Sequence, residues 1–281
     1  MSKHSRYERI RTPLAVMATA SVATALIATS VAPASAGKAP SLQTRRPTVV
    51  LVHGAFADST SWNGVVKELK REGYPVVAAA NPLRGLSGDA AYVKELLAGI
   101  DGPVVLAGHS YGGAVISNAA YGSEKVKALV YVAAFVPDEG ESALDLAAKF
   151  EGSTLGEALC PPVPVTLPDG SQGADLYIDQ KKFPRQFAAD VPENTAELMA
   201  VTQRPVTNVA LEEKSSEPAW KTTPTWALVA TEDLNIPREA QLFMAERAKA
   251  HTVEVRASHA VTVSRPNEVA QIIQEAARTV R

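Results

Sequence analysis

One cysteine, Cys160, stands among the 281 residues, so no internal disulfide can brace the chain. In an exported protein such a residue is either a buried small hydrophobe or a free thiol. Histidine is nearly as scarce: beyond the N-terminal segment there are only His53, His109, His251 and His259, scattered along the chain. No H-E-x-x-H or C-x-x-C occurs, so no metal-ligand spacing is present, and neither a metal nor a cofactor is expected. There is no excess of positive charge either, with 28 Lys and Arg against 30 Asp and Glu. Nucleic acid and anionic membrane surfaces are therefore not expected partners. No internal repeat or low-complexity tract appears. What remains, 46% apolar and 21% charged, is the balance of an ordinary globular protein of one large domain, or one domain carrying an insertion.

The first 36 residues differ from the rest. Lys3, Arg6, Arg9 and Arg11 make a basic start, and no charge follows from Thr12 to Gly37. The run closes on Ala34-Ser35-Ala36, a small-x-small pattern. That order is the layout of a secretory signal peptide cleaved after Ala36, and the expected product is a secreted protein with no stable membrane insertion. An uncleaved anchor is the rival reading, although the many Ala, Ser and Thr residues make the run only mildly apolar. A lipid anchor would need a Cys at the start of the mature chain, and there is none. The absence of an Arg-Arg pair before the apolar run favours the general export route over the twin-arginine one. Without residues 1–36 the chain keeps 24 basic residues against 29 acidic ones, a net charge of −5.

Residues 37–46 are polar and basic and read as a flexible lead-in to a domain spanning 47–281. There, uncharged strand-like runs alternate with helical stripes. Thr48–Val52, Val76–Ala80, Val104–Ala107 and Ala128–Phe135 read as strands buried on both faces. Between them Trp62, Val65, Val66 and Leu69 fall at helical spacing, as do Val93, Leu96, Leu97 and Ile100. The rhythm returns with strands at Trp226–Ala230 and Thr252–Val255, a helix from Arg238, and a last helix faced by Val269, Ile272, Ile273 and Ala276. This predicts an α/β fold, a mostly parallel sheet with helices on both faces. From about 137 to 220 the rhythm breaks, with four prolines between Pro161 and Pro168 and an Asp169-Gly170 turn. A small insertion is expected, with a hairpin of Val163–Leu167 and Ala174–Ile178 and helical pieces near Gln180–Ala189 and Thr195–Thr202. Placed near the carboxyl ends of strands it would be a lid, or else an ornament.

Gly108-His109-Ser110-Tyr111-Gly112-Gly113 directly follows one predicted strand and opens a helix. G-x-S-x-G in that context marks a sharp turn that lifts a serine hydroxyl above the sheet. The glycines spare the neighbouring backbone a Cβ, and the helix start aims N–H groups at developing negative charge. A serine needs a base. His259, on a loop after the last strand, fits; His109 lies inside the turn, His53 sits in the first strand-to-loop turn, and His251 begins a strand and is carried to its far end. The base needs a carboxylate. Asp233, at the end of Trp226–Ala230 and just before Pro237, is the candidate, with Glu232 and Asp138 as competitors. An acyl-transfer intermediate would take backbone donors from Tyr111 and from Ala55, in the loop after the first strand. Phe56, Trp62 and residues of 137–220 are candidates for an apolar pocket, with core packing as the competing reading.

Leu51-Val52-His53-Gly54-Ala55-Phe56, the Gly108–Gly113 turn, the Asp233 loop and Ser258-His259 together resemble the α/β-hydrolase superfamily. The likeness covers about 47–136 and 222–281 and is nearest the branch of bacterial esterases, plant methylesterases and hydroxynitrile lyases. It implies a small-molecule ester as substrate and Ser110, Asp233 and His259 as the triad. Lyases of that branch carry a threonine in the first loop and a lysine beside the histidine. Gly54 and Ala260 stand in those places here, which disfavours cyanohydrin cleavage and favours ester hydrolysis. A lyase, acyltransferase or perhydrolase on the same triad is the alternative, and a triad-bearing binding protein with negligible turnover is a further one.

Overall fold

The computed structural model describes residues 46–167 and 169–280. The expected signal segment and the lead-in up to residue 45 lie outside the described residues.

The first half alternates β1 (Thr48–Val52), α1 (Asn63–Arg71), β2 (Val76–Ala79), α2 (Leu86–Ala98), β3 (Val104–His109), α3 (Tyr111–Ala119) and β4 (Val126–Val132). An intervening segment carries α4 (Ala143–Ala148), α5 (Leu155–Ala158), β5 (Val163–Thr166), β6 (Gln172–Leu176), α6 (Phe183–Phe187), α7 (Glu193–Thr202), β7 (Val206–Thr207) and α8 (Asn208–Glu212). The alternation then resumes with β8 (Thr225–Ala230), α9 (Arg238–Arg247), β9 (His251–Val255), α10 (Val261–Ser264) and α11 (Pro266–Thr279).

Six strands form one parallel sheet in the order β2-β1-β3-β4-β8-β9. Successive side chains of a strand point to opposite faces, so each strand feeds two cores. Val49 and Leu51 of β1 and Val105 and Ala107 of β3 pack with Val65 and Leu69 of α1 and Val269, Ile272 and Ile273 of α11. Val50, Val52 and Leu106 face the other way, onto Val93 and Leu97 of α2, Val115 and Ile116 of α3, and Met244 of α9. Continuously apolar strands are the consequence of two covered faces. This is the α/β fold the alternation predicts.

Two boundaries differ from the expectation. β2 ends at Ala79 and is an edge strand with three of its four residues only half-buried, because among the described residues nothing pairs with its outer side. β4 ends at Val132, and Ala133 adopts a positive φ of 43°. Residues 133–136 instead leave the sheet and cross the Ser110 turn, where Phe135 N–H donates to the Ser110 carbonyl at 3.1 Å.

The segment between β4 and β8 packs its own antiparallel sheet, β5-β6-β7, with five short helices. Val163–Thr166 pairs with Gln172–Asp175 as a hairpin, and the two-residue β7 adds a third strand that its shortness hid from pattern reading. This cap is stitched to the sheet domain. Arg84, after β2, reaches the Asp175 carboxylate at 2.5 Å and the Pro205 carbonyl at 3.0 Å. Arg247 of α9 grips both oxygens of Glu141 at 3.0 and 2.7 Å.

The connections from β1 to β2 and from β2 back across to β3 run in opposite directions along the sheet. A crevice therefore opens between the carboxyl ends of β1 and β3. The 53–57 loop and Ser110 both lie there.

Candidate active site

β3 runs straight into α3 with Ser110 as the pivot at φ 54°, ψ −126°. A non-glycine residue there is strained by about 1–3 kcal/mol and persists only where its surroundings hold it. Three backbone bonds do so: Ser110 N–H donates to Val132, and the Ser110 carbonyl accepts from Gly113 and Phe135. The glycines are needed for close approach. A Cβ on Gly108 would stand 2.5 Å from the Gly112 carbonyl oxygen, and one on Gly112 would overlap the Val52 carbonyl of β1. Gly54 presses on Ser110 itself, with a Cβ there falling 2.5 Å from Ser110 Cβ and 2.7 Å from His109 O. Its smallness thus serves the serine turn directly.

Ser110, His259 and Asp233 come together from three strand ends. Ser110 Oγ lies 2.9 Å from His259 Nε2, and His259 Nδ1 lies 2.6 Å from Asp233 Oδ2. The carboxylate makes Nδ1 the protonated nitrogen, which leaves Nε2 free to accept from the serine hydroxyl. Asp233 is fixed on all sides. Its Oδ1 accepts from the N–H groups of Asn235 and Ile236 at 2.7 and 3.0 Å, and Gln241 Nε2 donates to Oδ2 at 3.0 Å. Neither side chain of the His259–Asp233 pair is more than 1% exposed. The competing carboxylates are engaged elsewhere: Glu232 with Arg256 at 2.6 Å, and Asp138 with Lys221 at 2.7 Å. His251 stacks on Trp226 at the start of β9, at the other end of the strand from the Asp233 loop.

The His259 loop is clamped from above and below. Below, His109 Nε2–H donates to the His259 carbonyl at 2.8 Å, and the two rings lie 4.7 Å apart. Burial, with the neighbouring His259 adding to it, pushes the His109 imidazole well below its usual range, so it acts as a neutral donor. Above, the cap holds both flanking residues. The Phe187 carbonyl accepts from Ala260 N–H at 2.9 Å, the Phe187 ring meets the His259 ring edge-on at 4.8 Å, and Asp190 accepts the Ser258 hydroxyl at 2.5 Å. These bonds tie the 183–190 stretch of the cap to the His259 loop.

Ala55 and Tyr111 line the same cavity as Ser110 and His259, and neither N–H finds an acceptor among the described residues. Tyr111 opens the nine-residue α3, whose positive dipole end adds to the field there. Its phenol points away, donating to buried Asp89 at 2.9 Å. Burial raises the Asp89 carboxyl, opposed by the Arg84 N–H. His53 is buried with Nδ1 3.0 Å from the Gly54 carbonyl, and Asn81 Nδ2 donates to its carbonyl at 2.9 Å, so it supports the loop.

The cavity measures about 200 Å³. Phe56, Phe135, Leu144, Leu155, Leu176 and Leu211 are among its apolar lining residues, four of them from the cap. Trp62 does not reach it and belongs to the opposite core. Gln241, Asp190 and Phe187 escaped sequence reasoning. They meet the site through contacts between segments far apart in the chain, and no local spacing announces them. Among the described residues no cluster of His, Cys, Asp and Glu could hold a metal ion.

A family model described as Alpha/beta hydrolase family matches residues 49–272. An alpha/beta hydrolase of Aspergillus novofumigatus (strain IBT 16806) is 27% identical over 257 residues, covering 83% of this chain and 97% of its own. A carbendazim hydrolyzing esterase of Nocardioides sp. (strain SG-4G) is 34% identical over 140 residues, 45% of this chain and 54% of that one. The crystal structure of polyneuridine aldehyde esterase superposes with a TM-score of 0.70 at 22% identity, over 82% of this chain and 98% of that chain, a likeness of fold.

Proposed function

The chain belongs to the alpha/beta hydrolase family, and from that premise we propose that it is a carboxylic-ester hydrolase working through an acyl-enzyme on Ser110. The observation that carries this reading is the Asp233–His259–Ser110 chain opening onto an apolar cavity beside two unengaged amides.

His259 Nε2 takes the Ser110 proton as Oγ bonds to the ester carbonyl carbon. The carbonyl oxygen gains the negative charge and meets the N–H groups of Ala55 and Tyr111. Asp233 holds the tautomer and stabilises the imidazolium. Collapse breaks the bond to the alcohol, whose oxygen takes the proton from His259. Water then repeats the sequence on the acyl-enzyme, releasing the acid and restoring Ser110. The apolar wall supports small esters with an apolar acyl half. Gly54 and Ala260 leave no threonine or lysine for cyanohydrin chemistry, which supports hydrolysis over the lyase alternative.

Short-chain aryl esters and a serine-directed phosphonate, applied to the protein and to Ser110→Ala, test this. Turnover and labelling should both vanish in the variant. Hydrolysis that survives Ser110→Ala, or no labelling of the unaltered protein, refutes the mechanism. Export rests on the pattern of residues 1–36, and protein recovered from the medium is expected to begin at Gly37. Recovery of an intact Met1 start in a membrane fraction counts against it.

A further inference from the structure

Beside the catalytic cavity lies a second pocket of about 170 Å³, lined by Ala57, Asp58, Thr60, Ser61, Thr202 and Val263 among others. Phe56 lines both spaces. That residue is buried, directly follows the oxyanion-loop Ala55, and holds a left-handed φ of 59° that an aromatic residue seldom adopts. Its amide donates to the Arg204 carbonyl at 3.0 Å and its ring meets Phe187 edge-on at 6.5 Å, so the strained position is held from both sides.

The second pocket carries more polar surface than the first, although Phe56, Ala57, Met199 and Val263 keep most of its wall apolar. Its hydroxyl hydrogens are already spent on the protein: Thr60 and Ser61 donate to Asp58, and Thr202 donates to the Leu198 carbonyl. Gln203 gives both its donors and its acceptor to Ile178 and Ala200. What the rim offers a visitor is lone pairs, together with Asp58 Oδ2, for which no bond is recorded among the described residues. Such a surface accepts a hydrogen-bond donor or a cation and repels an anion. Its wall also includes Val263 of α10, the helix that starts just past His259. A leaving alcohol must face His259 to take its proton; Ser110 and His259 line the first cavity and not this pocket, so the alcohol half would extend past Phe56 to reach it.

We infer that Phe56 divides the site into an apolar acyl cavity and an alcohol subsite whose polar atoms, Asp58 foremost, are acceptors, which selects esters whose alcohol carries an ammonium or another donor. The inference rests on the ester-hydrolase reading and adds a substrate class to it.

Three hexanoate esters test it: those of dimethylaminoethanol, of isoamyl alcohol (the same shape without charge) and of glycolate. With titrimetric rates, kcat/KM for the ammonium ester should exceed that for the isoamyl ester by about fivefold, the scale of a part-exposed ion pair. The glycolate ester should be the slowest. In Asp58→Asn, which keeps an oxygen for the Thr60 N–H, the ammonium-to-isoamyl ratio should fall to about one. A general loss of activity cancels in that ratio. Equal rates for all three esters, or a preference that survives Asp58→Asn, overturns the subsite while Ser110-dependent hydrolysis stands. No turnover of any ester together with no phosphonate labelling overturns both readings.

Discussion

Gly54→Ala adds one methyl group, and the structure says where it goes. The new Cβ would stand 2.5 Å from Ser110 Cβ and 2.7 Å from the His109 carbonyl oxygen. Carbon atoms rest at about 3.5–4.0 Å, so roughly 1 Å of separation must be found. Neither neighbour can yield freely. Ser110 is pinned by three backbone bonds, and His109 belongs to a strand paired on both sides. The 53–57 loop must lift instead, carrying the Ala55 amide away from the point where Ser110 Oγ attacks in the proposed mechanism. A misplacement of about 1 Å costs about a hundredfold in rate, and overpacking a rigid site costs about 1–3 kcal/mol of stability. The expected result is kcat lowered about a hundredfold on an aryl ester, with a drop in Tm and an ester KM that moves less. Phosphonate labelling of Ser110 should slow in parallel, since it uses the same oxyanion site. A Gly54→Ala protein that keeps kcat within threefold of the parent would refute the claim that this glycine sets the distance between amide and nucleophile.

Three further outcomes follow from named contacts. Asp190→Ala removes the charged acceptor of the Ser258 hydroxyl, and kcat should fall about tenfold with KM nearly constant, while Asp190→Asn restores most of the loss; a KM effect alone would make Asp190 a substrate contact instead of a positioning residue. Tyr111→Phe leaves buried Asp89 without its phenol donor and should cost about 1–3 kcal/mol in urea unfolding with kcat little changed; a hundredfold fall in kcat would place the phenol in the chemistry. His53 and His109 are both held below the usual imidazole value of 6.5 by burial, so between 6.5 and their lowered values the unfolded chain binds more protons than the folded one. Stability is therefore full above about pH 6.5 and lost as pH falls, by up to about 1.4 kcal/mol per unit for each histidine. His109→Gln, which keeps a donor for the His259 carbonyl, should shallow that acid-side slope between pH 6.5 and 5.5, and an unchanged slope would refute the assignment.

The chain by itself determined the sheet and the order of the three candidate site residues along it. Uncharged β-branched runs specify doubly covered strands because only such strands are apolar on both faces. A serine between glycines at a strand-to-helix junction specifies the turn because no other residue type leaves room for the crossing of β1 and α3. Ser110, Asp233 and His259 are each readable because each stands at the end of its own strand, and strand ends are visible in local pattern. The tertiary structure alone decided the rest. That Asp233 rather than Glu232 or Asp138 faces His259 is settled by the loop it sits in, where the Asn235 and Ile236 N–H groups and Gln241 hold its carboxylate against the imidazole. That Trp62 serves a core and Phe56 a cavity depends on which face each reaches. The clamps of Asp190, Phe187 and Gln241 join segments many residues apart, and the acceptor character of the Phe56 pocket arises from where each hydroxyl sends its hydrogen. Local patterns record the period and punctuation of the backbone; side-chain partnerships across the fold carry no such period and exist only once the chain has packed.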